Sequence, residues 1–429
     1  MEERIAVIDG LRTPLGKMGG ALSHIQADML GTNLVNELYN RFCDYDLQLS
    51  EVIMGNVSQP AHAQNIARVI ALRTEIPQSI PAYTVHRNCA SGFESITSAS
   101  CKILAKKSQI ILAGGVESMS NVPFIFSDQY KKYLENFMRL KSTPEKLKHL
   151  LKFKLKFLKP IIGLKLGLTD PTCNMIMGDT AEILAREFSI SRNEQDKFAC
   201  ASHNKAEKAT KEKIFENHIL AIANNPKSDQ LMTEDEGIRN GQNMKDLAKL
   251  KPFFDRKNGT VTAANSSQIT DGAAGVILMT ESQAKKHKIK PLGFIKDFCY
   301  QGLDPKRMGL GPAYSIAKIL EANKLKLNNI DLFEINEAFA AQVIACRKAL
   351  DSTKFCQDKL SLNKKLGLID DKKLNIYGGA IAVGHPVGMT GTRLIIQLLH
   401  ALKNKKKQTA IASLCIGGGQ GGAILLEAN

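Results

Sequence analysis

The chain carries one structural pattern twice. Cys89 lies in a loop that feeds a helical stretch, followed by the strand-like run QIILAGG and a glycine turn. His385 lies in GGAIAVGHPVGMTG, which feeds the helical TRLIIQLLHAL and then TAIASLCIGGG. Upstream of these, LSEVIMGNVSQPAHAQNIARV parallels LNNIDLFEINEAFAAQVIACR. Self-similarity of this kind constrains a fold more than any local propensity. It predicts two halves built alike, of roughly 280 and 145 residues, with strand ends facing each other.

Within each half, glycine-punctuated apolar runs alternate with helical patterns. IAVIDG, VIMGNV, QIILAGG, GVILMTE, LFEIN, LNIYGGA and TAIASLCIGGG read as short buried strands. GFESITSASCKILAKK and GTRLIIQLLHALKN read as helices between them. The alternation predicts α/β architecture with at least partly parallel sheets. The first half is longer because of residues 121–252, which are polar, charged and poor in strand signal. They read as an inserted, mostly helical loop domain. The expected division is 1–120 with 253–282, then 121–252, then 283–429.

Composition narrows the class. A chain of 429 residues with 44% hydrophobic content can bury sizeable cores. No uncharged apolar run reaches about 18 residues, so a membrane span is not expected. The start, MEERIAVIDGLRTPLGK, is acidic at once and has neither the basic nor the apolar region of a secretion signal. The expectation is a cytoplasmic protein, with the mature form of an organellar one left open. Nine cysteines with no CxxC argue against a disulfide framework or a zinc site, and no metal is expected. Net charge is +16, but residues 131–165 hold eleven Lys or Arg against two Glu, a local +9. The remainder is only mildly basic and no motif accompanies the charge, so no nucleic-acid partner is expected.

Four segments carry chemistry. In VHRNCASGFESI, Cys89 sits at a strand-to-helix turn, where free N–H groups are expected to depress its pKa and sharpen it as a nucleophile. In GGAIAVGHPVGMTGTR, His385 sits between glycine and proline, suited to act as a base beside a thiol. In LFEINEAFAAQ, Asn336 and Glu337 end an apolar strand, where α/β proteins place site residues. For Glu337 a helix-cap role is favoured. The fourth segment, CIGGGQGG, puts Cys415 at another strand end before a bare glycine loop. A phosphate loop would carry Lys or Ser/Thr and run into a helix, and this one does not. The glycines instead expose N–H groups to a substrate passing close to the main chain.

These segments resemble the thiolase family of acyl-CoA acyltransferases. NCASGFES, NEAFA, GGAIAVGHPVGMTG and CIGGGQGGA match its active-site segments, and MGDTAE, ISRNEQDKFACASHNKA and NGTVTAANSSQITDGAA extend the match over nearly the whole chain. RNCASGF with a long basic insertion is most similar to the thiolase (beta) subunit of the fatty-acid oxidation complex. The resemblance implies duplicated βαβαβαββ halves in a five-layered α-β-α-β-α core. It implies thiolytic cleavage of 3-ketoacyl-CoA to acetyl-CoA and a shortened acyl-CoA. Cys89 is the implied nucleophile, His385 the base and Cys415 the acid. His385 with Asn336 forms one oxyanion hole, and the N–H groups of Cys89 and Gly417 form the other. Ser267 and Ser266 are the implied CoA contacts, although Gln268 stands where the family commonly has glycine. CoA and acetyl-CoA are substrates, with no bound cofactor. A homodimer or tetramer and a hydratase/dehydrogenase partner subunit also follow from the resemblance. An acetyl-CoA C-acetyltransferase acting on acetoacetyl-CoA and a non-catalytic scaffold are the alternatives. A 3-oxoacyl-carrier-protein synthase is disfavoured by NEAFA and Cys415.

The basic stretch KLKHLLKFKLKFLKPIIGLKLG, residues 146–167, stands apart from that chemistry. Read as one helix, Leu147, Leu150, Leu151, Leu155 and Leu158 share a face. Peripheral membrane contact, an acidic partner subunit, steering of CoA phosphates, and a lysine-rich cover over the insertion's own core all remain open.

Overall fold

The computed structural model describes residues 3–223 and 230–429. Met1, Glu2 and residues 224–229, the last within the expected insertion, lie outside the described residues.

The first half runs β1 (Ile5–Arg12), α1 (Ala27–Cys43), β2 (Glu51–Gly55), α2 (Ile66–Leu72), β3 (Ala82–Val85), α3 (Ser91–Leu104) and β4 (Ile111–Ser118). The chain then leaves the sheet through α4 (Asp128–Arg139), α5 (Thr143–Leu150), α6 (Met177–Glu187) and α7 (Arg192–Lys211), and returns as β5 (Thr270–Thr280). The second half runs β6 (Gly293–Gly302), α8 (Gly311–Ala322), β7 (Leu332–Ile335), α9 (Ala340–Leu350), α10 (Thr390–Lys405), β8 (Thr409–Ile416) and β9 (Gln420–Ala428).

Strand order makes the duplication explicit. The first half is ordered β3-β2-β4-β5-β1 and the second β7-β8-β9-β6, the same path with one strand fewer. Ile5–Val7 of β1 pair antiparallel with Gly293–Ile295 of β6, so the two half-sheets join edge to edge. The period of two along each strand sorts side chains between layers. Val52 and Met54 pack with Leu34, Leu38 and Ile70 of α1 and α2. Ile53 between them packs with Phe93 and Ile96 of α3 and Leu394 and Leu398 of α10. Phe333, Ile335 and Ile411 pack with Ile316, Ile319 and Val343 of α8 and α9. The result is five layers, α-β-α-β-α, with α3 and α10 in the middle. Glycine lets these two central helices touch. A Cβ on Gly92 would lie 2.9 Å from the Thr392 nitrogen, and one on Gly391 would lie 2.5 Å from the Phe93 nitrogen.

The missing strand is a departure from expectation. LNIYGGA forms turns, with a single bridge from Leu374 to Phe333. Asn375 at φ +44° and Gly378 at φ +77° break the extended run. The Asn375 side chain replaces the lost ladder. Its oxygen accepts from the Ile335 nitrogen at 2.9 Å, and its nitrogen donates to the Ile335 carbonyl at 3.0 Å.

Residues 146–167 also differ from the single helix expected. α5 ends at Leu150, a 3-10 turn covers Leu155–Leu158, and a short helix covers Gly163–Gly167. Pro160 lacks the amide hydrogen a continuous helix needs.

Candidate active site

Between β3 and α3 the chain turns sharply. Asn88 holds φ +44°, a left-handed conformation that Asn tolerates better than most residues. Ser91 locks the turn: its hydroxyl donates to the Asn88 carbonyl at 2.7 Å and accepts from the Arg87 nitrogen at 2.9 Å. Cys89 is thereby presented, partly exposed, at the mouth of α3. Burial pushes its thiol pKa up, while the N–H groups of Gly417 and of Cys89 itself pull it back. The net direction is upward, the reverse of the expected depression. Desolvation of the thiolate in the apolar wall outweighs the two N–H donors.

His385 follows Gly384, which sits at φ +110°, and precedes α10. Its nitrogen donates to the Gln268 carbonyl at 3.1 Å. Its Nδ1 lies 2.7 Å from the Thr390 hydroxyl oxygen, and that hydroxyl donates its one hydrogen to the Pro386 carbonyl at 2.9 Å. Thr390 can therefore only accept, which places the ring hydrogen on Nδ1 and leaves Nε2 as the acceptor. Nε2 faces the Asn336 side-chain nitrogen at 3.4 Å. Burial lowers the imidazole pKa to about 3, with the Arg393 charge adding to the effect. The ring is neutral at physiological pH. The Asn336 side-chain oxygen is buried with no protein partner among the described residues, room for a bound water's hydrogen.

The second half supplies the rest. β8 ends in Cys415 and Ile416, then Gly417, Gly418 (φ +85°) and Gly419 (φ +76°) turn the chain into β9. Cys415 is buried, and its thiol is held well above its ordinary pKa, by burial first and then by the charges of Cys89 and Cys346. Asn88 bridges the halves by donating to the Gly417 carbonyl at 2.8 Å.

A cavity of about 380 Å³ opens over Cys89 and Gly417. Its wall is largely apolar, with Val57, Met119, Leu164, Leu168, Met177 and Val387. Asn336, His385 and Cys415 lie buried and are not part of that wall. A second cleft of about 450 Å³ lies among Glu194, Lys205, Arg347 and Asp371, whose charges are already engaged, as in the 2.7 Å Arg347–Asp371 ion pair. It is lined by no cysteine or histidine.

Ser266 and Ser267 do not line the Cys89 cavity. The Ser266 hydroxyl is committed to the Thr262 carbonyl at 2.7 Å, and Ser267 is partly exposed. Glu337 proves to be a tie, accepting from Ser202 at 2.6 Å, Asn375 at 2.8 Å and the Ile381 nitrogen at 3.2 Å. Thr390 and Glu117 were not found from sequence, and Gln268 was noted there only as standing where the family commonly has glycine. Thr390 orients His385. Gln268 donates from Nε2 to the carbonyls of Gly237, Ile381 and Ala382 at 2.9–3.1 Å and so braces the His385 loop. Glu117 is buried with its pKa raised to about 7 by desolvation, against N–H donors from Ser58, Val57 and Gly388. The signal for Thr390 was its place five residues after His385, at the start of a helix.

A partly exposed cysteine at a helix mouth, a neutral buried imidazole and a bare glycine turn on a duplicated five-layer fold fit an acyl-transfer enzyme. The chain belongs to the thiolase family. The family model for the thiolase N-terminal domain matches residues 5–282, and that for the C-terminal domain matches 289–428. The 3-ketoacyl-CoA thiolase of Pseudoalteromonas translucida is 37% identical over 426 residues, covering 99% of this chain and 97% of that protein. The 3-ketoacyl-CoA thiolase of Escherichia coli O127:H6 is also 37% identical, with the same coverage. Human mitochondrial 3-ketoacyl-CoA thiolase in complex with CoA aligns with a TM-score of 0.85 at 34% identity, covering 100% of this chain and 98% of that one. The Bacillus anthracis acetyl-CoA acetyltransferase aligns with a TM-score of 0.86 at 35% identity, covering 100% and 99%.

Proposed function

We propose that the chain is a 3-ketoacyl-CoA thiolase acting in fatty-acid β-oxidation, with CoA and acyl-CoA as its substrates. The observation that carries the assignment of roles is the unprotonated Nε2 of a neutral His385, fixed by the Thr390 relay. Cys89 sulfur attacks the 3-keto carbon and His385 Nε2 takes the thiol proton. The bond between the α and β carbons breaks, leaving the acyl group on Cys89 as a thioester. The departing acetyl-CoA enolate takes a proton from Cys415. CoA then enters, gives its thiol proton to the Cys415 thiolate and attacks the thioester, releasing shortened acyl-CoA while His385 returns its proton to the Cys89 sulfur.

Two oxyanions form and each needs donors. The ketone oxygen and the thioester oxygen on Cys89 would be met by the N–H groups of Cys89 and Gly417, both of which pull the Cys89 thiol pKa down. The acetyl-CoA thioester oxygen would be met by His385 and a water held by Asn336. One well-placed donor is worth about 3–4 kcal/mol of barrier. Ser267, partly exposed, is the better of the two serines for a CoA contact, since the Ser266 hydroxyl is already engaged.

The apolar cavity over Cys89 favours acyl chains longer than acetyl over the acetoacetyl-CoA alternative. The unpaired outer edge of β3 supports a homodimer or tetramer. Residues 1–120 with 253–282, 121–252 and 283–429 remain the proposed division. No helix among the described residues is long and apolar enough to cross a membrane. The test follows CoA-dependent loss of magnesium–3-ketoacyl-CoA absorbance, comparing acetoacetyl-CoA with a long-chain substrate in wild type and Cys89→Ser. Loss in the variant and preference for the longer chain support the reading. Absence of activity on both substrates overturns it.

A further inference from the structure

We propose that the insertion's outer face, residues 124–166, docks on an anionic lipid bilayer. The first observation is which side chains fill the insertion's own core. Tyr130 stacks on Phe157 at 5.8 Å between ring centroids, and Tyr133 meets His149 at 4.5 Å, Phe157 at 5.3 Å and Phe153 at 5.9 Å. Tyr133 and Phe157 are only 9% and 7% exposed. These two side chains face inward.

The leucines do not. Leu151 is 87% exposed, Leu155 82% and Leu147 61%, and Met138 and Phe124 reach 73% and 69%. The insertion's own core is therefore aromatic, and these leucines lie outside it. The hairpin pairing Phe124 with Ile162 and Ile125 with Ile161 adds more exposed apolar surface. Monomeric proteins rarely leave large contiguous apolar patches in water, and those they leave usually bind something.

The second observation is charge. Of the eleven basic residues between 131 and 165, only Lys131 is ion-paired among the described residues, to Glu135 at 3.9 Å. A cationic face with unpaired lysines seeks an anionic partner. An acidic protein would match the charge but not the pattern. Cationic and apolar residues interleave singly, as in Lys146-Leu147-Lys148 and Lys152-Phe153-Lys154-Leu155-Lys156. Lysine is depleted from the cores of protein–protein interfaces. At a bilayer surface both kinds are satisfied together, with lysines reaching headgroup phosphates while leucines enter the acyl boundary.

The face is continuous with the active-site cavity. Leu166 is exposed and also lines the cavity wall, beside Leu164 and Leu168. Docking would set the cavity mouth against the lipid surface, where long-chain acyl-CoA partitions. That consequence rests on the thiolase reading, whereas the docking itself does not.

The test is flotation of the full-length protein with large vesicles of phosphatidylcholine alone, or with phosphatidylglycerol added. The expected result is binding at least about tenfold stronger to the anionic vesicles, weakening as salt is raised. The Leu151→Ser/Leu155→Ser double variant should bind about tenfold more weakly, since both side chains are exposed and their removal leaves no cavity. Its turnover of acetoacetyl-CoA should match wild type. Lys152→Glu/Lys154→Glu/Lys156→Glu should abolish binding. No binding to anionic vesicles, equal binding to both vesicle types, or a double variant that binds like wild type would each overturn the proposal. The readout needs no catalysis, so its failure is separate from failure of the thiolase assignment.

Discussion

Asn88 donates its side-chain N–H to the carbonyl of Gly417 at 2.8 Å, tying the Cys89 turn of one half to the glycine turn of the other. The N–H of Gly417 is one of two that reach the Cys89 sulfur, so this bond aligns the donor with the atom it serves. Asn88→Gly keeps the left-handed backbone, at φ +44°, and removes only the tie. The expected outcome is a kcat/KM about tenfold lower, within the range a small misplacement produces. The melting temperature should shift little. An unchanged kcat/KM would show that the Gly417 turn holds its position without Asn88.

The protonation state of the resting site is the second prediction. Burial raises the Cys89 pKa and lowers that of His385 to about 3. Both shifts disfavour charge, so thiol and imidazole rest neutral between these limits, and the proton moves only during attack. Alkylation of Cys89 by iodoacetamide should therefore keep accelerating as pH rises through 9, because thiolate is scarce below the raised pKa. A thiol depressed by the α3 terminus would instead plateau below its ordinary value of about 8.5. Peptide mass spectrometry of Cys89 against pH distinguishes the two.

Gln268 is the third. Its side-chain nitrogen donates to the carbonyls of Gly237, Ile381 and Ala382, and its own carbonyl accepts from the His385 nitrogen. Gln268→Ala should cost about 1–2 kcal/mol in urea unfolding, from carbonyls left short of a donor. Gln268→Glu should be the worse variant, since a carboxylate oxygen would face those same carbonyls. Equal effects of the two substitutions would contradict the brace.

Cys415 provides the fourth. Its thiol is buried and held strongly protonated, as an acid for an enolate must be. Cys415→Ala should lower thiolysis by about 10²–10⁴-fold, the usual worth of a positioned acid or base. The same variant should stop exchange of the acetyl-CoA methyl hydrogens with deuterated water, read by proton NMR. Retained exchange would remove Cys415 from the proton-transfer step.

Much of this site was legible before the fold was seen, and the reasons are local. Cys89, Asn336, His385 and Cys415 each stand where a strand or glycine run meets a turn, and the duplicated pattern told which turns correspond. The sheet order β3-β2-β4-β5-β1 and its echo β7-β8-β9-β6 realise that duplication. What stayed hidden depends on contacts far apart in sequence. Thr390 matters only through the Pro386 carbonyl that takes its hydrogen. The Cys89 pKa depends on a cavity wall built partly by Leu164 and Leu168, so the helix terminus alone pointed the wrong way. LNIYGGA looked like a strand because its apolar residues suit one, yet Asn375 at φ +44° ends it and serves β7 through its side chain. The stripe of leucines in 146–167 was visible, but only the buried aromatics beneath reveal that it faces outward.

The central claim is that Cys89 carries the acyl group. It is tested most directly by adding acetyl-CoA without an acceptor and measuring the intact mass of wild type, Cys89→Ala and Cys415→Ala. The account predicts one acetyl group on wild type and on Cys415→Ala, mapped to Cys89, and none on Cys89→Ala. An acetyl group retained by Cys89→Ala, or mapped to another residue in wild type, would contradict it.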